Sequence, residues 1–373
     1  MTTDWVDATV LLRLLTNQPP VLARKARRSR WMPATLILAL VVCCTTPLES
    51  GRQPSPDVHV SISAYLRELD DDNFSGVVLV AKDYVPFATK ATGYADRARG
   101  APNATITPFN IAAITKLFTA VAIGQLVDQG KVSLDDPLTK YLPAYPHATG
   151  DRITIAMLVS QTAGLGSYAN DPGYLRVRDG FESVSDLVGA VNTAVVPGAV
   201  PEKTLTSSDT GYLLLGAVIE KASGRDYYEY MDNEVFAKAG VAAGFLPNTE
   251  DELKDRGFAL GYLTDGSKNW SSLPARGTPA ASAYATASDL LSFHKALANG
   301  ALVKPETQRR LVLLPPAPGK NSPGIASGVF VGNDLGASAV FAMTPAGYTV
   351  IVLANVGDAA PPVADRILKV LGN

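Results

Sequence analysis

Segments rich in β-forming residues stand at both ends of the folding part of this chain, with helical patterns between them, so the chain must leave a sheet and later rejoin it. FSGVVLVAK (Phe74–Lys82) and VPFATKATGYA (Val85–Ala95) flank a tight turn at Asp83-Tyr84 and read as a hairpin. GVFVG (Gly328–Gly332), ASAVFAMTP (Ala337–Pro345) and GYTVIVLANV (Gly347–Val356) read as three successive strands near the other end. Between them the pattern predicts helices over Ala113–Gln129, stopped at Gly130, over Ile153–Thr162 near Gly164, over Asp209–Ser223 before Gly224, and one starting near Ser288. Val58, Ile62, Tyr65, Leu66 and Leu69 recur at helical spacing, predicting a first helix that runs to the Asp70-Asp71-Asp72 cluster, and PVADRILKVL closes the chain as an amphipathic helix. The expected fold class is therefore α/β in an α+β arrangement. N- and C-terminal segments form an antiparallel sheet flanked by helices, around an inserted helical subdomain at about residues 113–290. A functional site belongs where the two parts meet.

With 373 residues, 47% of them hydrophobic and 18% charged, the chain can bury a large core, and one domain over 56–373 is expected. A formal net charge of -2 argues against nucleic acid as a partner, because a phosphate-binding surface needs a basic excess. No internal repeat or low-complexity segment follows the first 55 residues.

Those first 55 residues read as an export signal and linker. Arg24, Lys25, Arg27, Arg28 and Arg30 precede the apolar run Ala34–Cys44 and the polar TTPLESGRQPSP, and the run is short of the ~20 residues of a spanning helix. The chain is expected to be exported, to a periplasmic, extracellular or membrane-anchored place, with membrane contact only through the signal or a lipid anchor. Cys43 and Cys44 are the only cysteines, so the mature part has no disulfide framework. Either could carry a lipid, although Val41 and Val42 stand where a lipobox has a small residue next to the cysteine. The first 20 or so residues are a long lead-in that a different start codon would explain equally well.

The stretch PFNIAAITKLFTAVAIGQLVDQG (Pro108–Gly130), with FSGVVLVAKD, GQLVDQGKVSLDDPLTKYLP, TGYLLLGAVIEKASG, ATASDLLSFHKAL and GYTVIVLANV, resembles the serine β-lactamase-related family over about residues 60–370. The resemblance is nearest to class C enzymes, their esterase relatives and D,D-carboxypeptidases, and it implies a β-lactamase/transpeptidase-like fold. In that family a Ser-x-x-Lys motif opens a buried helix, a Tyr-x-Asn loop carries a second proton relay, and Lys-Thr-Gly or His-x-Gly on a strand polarises the substrate. Here the motifs read Ala113-Ile114-Thr115-Lys116, Ser207-Ser208-Asp209 and Phe330-Val331-Gly332, and Met157 and Gln161 replace histidines found in many relatives. A single engineered change at Ala113 would not account for the other losses.

The replacements make joint sense. Phe330 removes a cation and Asp209 adds an anion, so Lys116 is expected in an ion pair with Asp209, a structural element rather than a base. The expected ligand pocket comprises Ala113, Lys116, Ser207, Asp209, Phe330 and Asn333, with any surviving oxyanion hole made by backbone N–H groups of Ala113 and the segment near Asn333. The leading expectation is a pseudoenzyme that binds a small molecule, peptide or partner without hydrolysis. Its alternatives are a repurposed enzyme catalysing a rearrangement, cyclisation or proton transfer through Lys116, Ser207 or Asp209, and a residual serine hydrolase using another nucleophile, with Ser160, Ser207 and Ser208 as candidates. No cofactor is implied. His59, His147 and His294 lack metal-ligand spacing, so no metal site is expected, and the glycines of GLGSY and VGNDLG do not fit a nucleotide loop.

Overall fold

GVVLVAK, ASAVFAM and TVIVLA are continuous apolar runs rather than alternating ones, and the reason is that both faces of their sheet are covered. The computed structural model describes residues 56–70, 74–191, 193–195, 208–242, 244–245, 249–269, 273–311, 313, 325 and 328–372. Its main sheet has five antiparallel strands: β1 (Gly76–Lys82), β2 (Val85–Thr92), β3 (Gly328–Asp334), β4 (Ala337–Met343) and β5 (Tyr348–Ala354). Their spatial order is β2-β1-β5-β4-β3, so the two ends of the chain meet where β1 pairs with β5 in the register Val78↔Val352.

One face of the sheet packs against helix α1 (Pro56–Glu68) and the C-terminal helix, burying Ile62, Leu66, Val78, Val352, Val363 and Ile367. The opposite face, with Leu79, Phe341 and Ile351, packs into the main core beside Phe118 and Leu290 of the helical part. At the centre of that part lies α2 (Thr115–Asp128), whose residues Thr115 to Leu126 are all buried. A helix apolar on every side belongs inside the molecule, which is why this segment shows no solvent face in its sequence. The helices that position the site are α3 (Ile155–Val159), α4 (Asp209–Ser223) and α5 (Ala287–Ala298), and the C-terminal helix becomes α6 (Ala360–Val370).

The hairpin turn at Asp83-Tyr84 has φ of 49° and 65°, the paired left-handed geometry that suits a two-residue connection between twisted strands. β2 stops at Thr92, short of the expected Ala95, because Gly93 turns the chain at φ 73°, and Tyr94–Asp96 pairs instead with Ala101–Pro102. The helix expected from Ala113 begins as a 3-10 turn over Ala112–Ile114 and becomes α-helical only at Thr115. α3 is shorter than Ile153–Thr162: Thr154 caps its start, accepting from the Met157 N–H, and Gln161 at φ 60° ends it. Short helices at Pro172–Val177, Val184–Ala190 and Pro305–Arg310 have too few turns to show a period in the sequence. Among the described residues no helix is long and apolar enough to cross a membrane. The expected signal, Cys43 and Cys44 lie outside the described residues.

Candidate functional site

Ala112 sits at φ 47°, a backbone state that costs a residue with a Cβ, and it is fully buried. Its N–H donates to Asn110 Oδ1 at 2.8 Å, and its carbonyl accepts from the Thr115 hydroxyl at 2.6 Å and the Ser282 N–H at 3.3 Å. The strained elbow is thus held from both sides at the place where the resemblance puts a nucleophile, although Ala113 offers only a methyl group. The edge strand β3 runs against this elbow. A Cβ built on Gly332 would lie 2.4 Å from the Ile111 carbonyl oxygen and 3.0 Å from the Ala113 nitrogen, so only glycine permits the approach. The strand segment and the elbow, identified in sequence from separate motifs, are therefore adjacent.

One turn into the helix, Lys116 Nζ donates to Asp209 Oδ1 at 2.8 Å; their side chains are 8% and 25% exposed, so water reaches the carboxylate more than the ammonium. Burial works to raise the Asp209 pKa, but the Lys116 charge and hydrogen bonds from Lys116 and Ser167 outweigh it and hold the carboxyl below its usual range. Asp209 occupies the first turn of α4, where an anion also meets the positive end of the helix dipole. Lys116 Nζ lies 5.7 Å from the centre of the Tyr212 ring, and Tyr212 is fixed by donating its hydroxyl to the Val159 carbonyl at 2.8 Å. Ser208 caps α4 by accepting from the Gly211 N–H at 2.9 Å, and its own N–H donates to Gln161 Oε1 at 3.1 Å. Gln161 is thereby a brace that sets the start of α4.

Ser167 completes the group, because its exposed hydroxyl donates to Asp209 Oδ2 at 2.5 Å. The carboxylate thus bridges a buried ammonium and a solvent-facing hydroxyl. Ser167 carried no signal in the sequence, because the contact joins residues 42 apart through loop geometry.

Along β3 the side chains alternate between faces. Phe330 points toward the helical part, packing on the main core with its ring 6.4 Å from that of Phe341. The Asn333 side chain faces away from the elbow, exchanging hydrogen bonds with Asp358, whose N–H donates to Asn333 Oδ1 at 3.1 Å. Asp334 shares the face of Phe330 and Gly332, as counting by twos along the strand gives. Asp334 keeps access to water, yet the surrounding protein pushes its carboxyl up to about 6; the Leu335 N–H opposes this and repulsion from Asp209 adds to it. Burial likewise pushes Tyr174 up to about 12, with the Asp334 charge contributing next, which places this tyrosine within reach of the same field.

The structure therefore gathers Ala113, Lys116, Asp209 and Phe330 around one junction, while Ser207 lies outside the described residues. Ser160 is spent on the end of α3, donating to the Ala156 carbonyl at 2.8 Å. His294 is buried beside Thr349, His147 is exposed against Asp151, and His59 stacks near Phe87. Hollows on the described surface beside His59 and beside Arg276 are not lined by Ala113, Lys116 or Asp209.

Comparison with known proteins identifies the family and the fold. The Beta-lactamase family model matches residues 62–371. The Bacillus subtilis (strain 168) protein PbpX, assigned by name to the penicillin-binding proteins, is 30% identical over 259 residues, which are 68% of this chain and 62% of that one. Protein flp of Staphylococcus aureus (strain COL) is 26% identical over 196 residues, 51% of this chain and 38% of its own. The chain thus matches less than two thirds of the length of each of these curated relatives. A solved penicillin binding protein from Bacillus halodurans superposes with a TM-score of 0.69 at 28% identity, covering 84% of this chain and 99% of that one.

Proposed function

The chain belongs to the Beta-lactamase family, and from that membership we propose that it is an exported, non-hydrolytic member whose cleft binds a small molecule or peptide. The observation that carries the reading is Ala113 at the head of α2 beside a Lys116 whose ammonium hydrogen is already committed to Asp209 at 2.8 Å. A lysine that donates to a carboxylate is poorly placed to take a proton from anything else. The strained elbow at Ala112 and the close passage of Gly332 support a retained site, since strained backbone of this kind gathers at functional sites. The names of the relatives point to penicillin and to the peptides it imitates as the first ligands to try.

The test pairs binding with turnover. Penicillin, nitrocefin and D-alanyl-D-alanine peptides are expected to raise the melting temperature in a concentration-dependent way, by about 2.7 kcal/mol of stabilisation at a hundred times Kd, with no nitrocefin hydrolysis. Ala113→Ser is expected to carry no penicillin adduct at position 113 when its peptides are mapped by mass spectrometry, because the second proton carrier and the strand cation are also gone. Steady nitrocefin turnover by the native chain, or rapid acylation at position 113 of Ala113→Ser, would overturn the reading.

A second reading, repurposed chemistry without an acyl intermediate, is favoured by one feature: the Lys116–Asp209 pair reaches solvent through Ser167. Under that reading Asp209→Asn abolishes consumption of a substrate while leaving the fold intact.

A further inference from the structure

We propose that Ser167 is a nucleophile of this cleft, attacking activated carbonyl and phosphonyl electrophiles while Asp209 accepts its proton and Lys116 holds Asp209 in place. The proposal goes beyond the binding reading, and the two fail independently: a ligand can bind without Ser167 reacting, and Ser167 can react without catalytic turnover.

Three observations carry it. The two oxygens of Asp209 are divided, with Oδ1 taking the Lys116 ammonium at 2.8 Å and Oδ2 taking the Ser167 hydroxyl at 2.5 Å. A hydroxyl that donates to a fixed carboxylate has its proton aimed at an acceptor and its lone pairs turned away from it. The loop carrying Ser167 is pegged on both sides. The Gly166 carbonyl accepts from the Thr210 N–H and the Ser208 hydroxyl, each at 3.3 Å, and Tyr168 donates to Thr278 Oγ1 at 2.7 Å. The Ala169 N–H also donates to Ser167 Oγ at 3.2 Å, fixing the rotamer further. Finally, the neighbouring hydroxyls are committed to backbone: Ser160 donates to the Ala156 carbonyl, and Ser208 caps α4 and donates to Gly166. Ser167 is the one described serine here that is exposed and polarised by a carboxylate bound to a lysine.

The step balances without any outside reagent. A bond forms between Ser167 Oγ and the electrophilic carbon or phosphorus as the O–H proton passes to Asp209 Oδ2. The bond to the leaving group then breaks with its electron pair, and the leaving group takes that proton from Asp209. The products are an acyl- or phosphonyl-serine and a protonated leaving group; with a fluorophosphonate the second product is hydrogen fluoride. Asp209 is ionised throughout the neutral range, and because the Lys116 charge that holds it so also weakens it as a base, it takes the proton only as the bond from Ser167 Oγ forms.

The full chain is treated with a biotinylated fluorophosphonate, digested, and the modified peptide sequenced by mass spectrometry. The expected adduct is on Ser167. Labelling should fall to the heat-denatured background in Ser167→Ala, and by about a hundredfold in Asp209→Asn, the scale of a lost general base. Ser185→Ala is the control, since Ser185 is an exposed serine donating to Glu220 at 2.9 Å with no lysine in the group, and it should label as the native chain does. Ser167 is exposed, so Ser167→Ala is expected to melt with the native chain. An adduct on any other residue, no adduct above denatured background, or unchanged labelling of a folded Ser167→Ala would each overturn the proposal.

Discussion

The Lys116–Asp209 pair shows how little a single residue means apart from its partner. A lysine at this place in the motif is a catalytic signal when a serine stands three residues earlier, and an anchor when a carboxylate stands 2.8 Å away. Removing one member should expose the difference. Lys116→Met is expected to destabilise the chain by on the order of 2 kcal/mol, less than for a fully dry pair because Asp209 keeps some water. Lys116→Met with Asp209→Leu should cost clearly less than the two single changes summed, since the double change leaves no lone charge behind. Urea unfolding of the four proteins is the measurement, and strict additivity would show that the contact contributes nothing. The loss should also depend on pH. The Asp209 carboxyl has a lowered pKa in the folded state, so its stabilising contribution is present above the ordinary value of 3.8 and is lost as pH falls through the folded value.

At the scale of elements, the site is made by a strand edge brought against a helix start. β3 reaches the elbow only because Gly332 lacks a side chain, and a methyl group there would meet the Ile111 carbonyl at 2.4 Å, a backbone atom that cannot swing aside. Gly332→Ala is accordingly expected to destabilise by roughly 2–4 kcal/mol or to lift the strand from the elbow. A drop in the urea midpoint, together with loss of any ligand-induced melting shift, would register either outcome. Gly180→Ala, where an added Cβ meets nothing within 4 Å, should change stability by no more than about 0.5 kcal/mol. Equal effects of the two changes would remove the strand-elbow contact from the account. The same logic explains Asn333: its backbone lies on the edge that faces the cleft, but the pleat sends its side chain to Asp358.

Over the whole molecule, the two layers of the core are joined by a buried polar contact between α5 and β5. His294 Nδ1 and Thr349 Oγ1 lie 2.9 Å apart beneath the edge of Tyr84, and burial lowers the imidazole pKa from 6.5 to about 4. The folded state thus prefers the neutral ring. Its contribution is complete above 6.5, where the unfolded chain is also neutral, and is lost as pH falls from 6.5 toward about 4 while only the unfolded chain takes up the proton. His294→Gln should flatten the fall in stability between about pH 7 and about pH 4.5, removing roughly 2–4 kcal/mol of pH-dependent loss. Urea titrations at the two pH values test this, and parallel curves for both proteins would refute it.

The sequence by itself determined the parts that depend on local pattern. Apolar runs marked the strands, periodicity and glycine stops marked the long helices, and separate motifs placed Ala113, Lys116, Asp209 and the Phe330 strand in one site. Tertiary structure decided what depends on distant contacts. Ser167 meets Asp209 only through two pegged loops, Asp334 takes the cleft face in place of the Asn333 side chain through the pleat of an edge strand, and Gln161 braces α4 from the end of α3. A side chain's direction and the charge state of its neighbours follow from packing between segments far apart in the chain, and residue type carries neither.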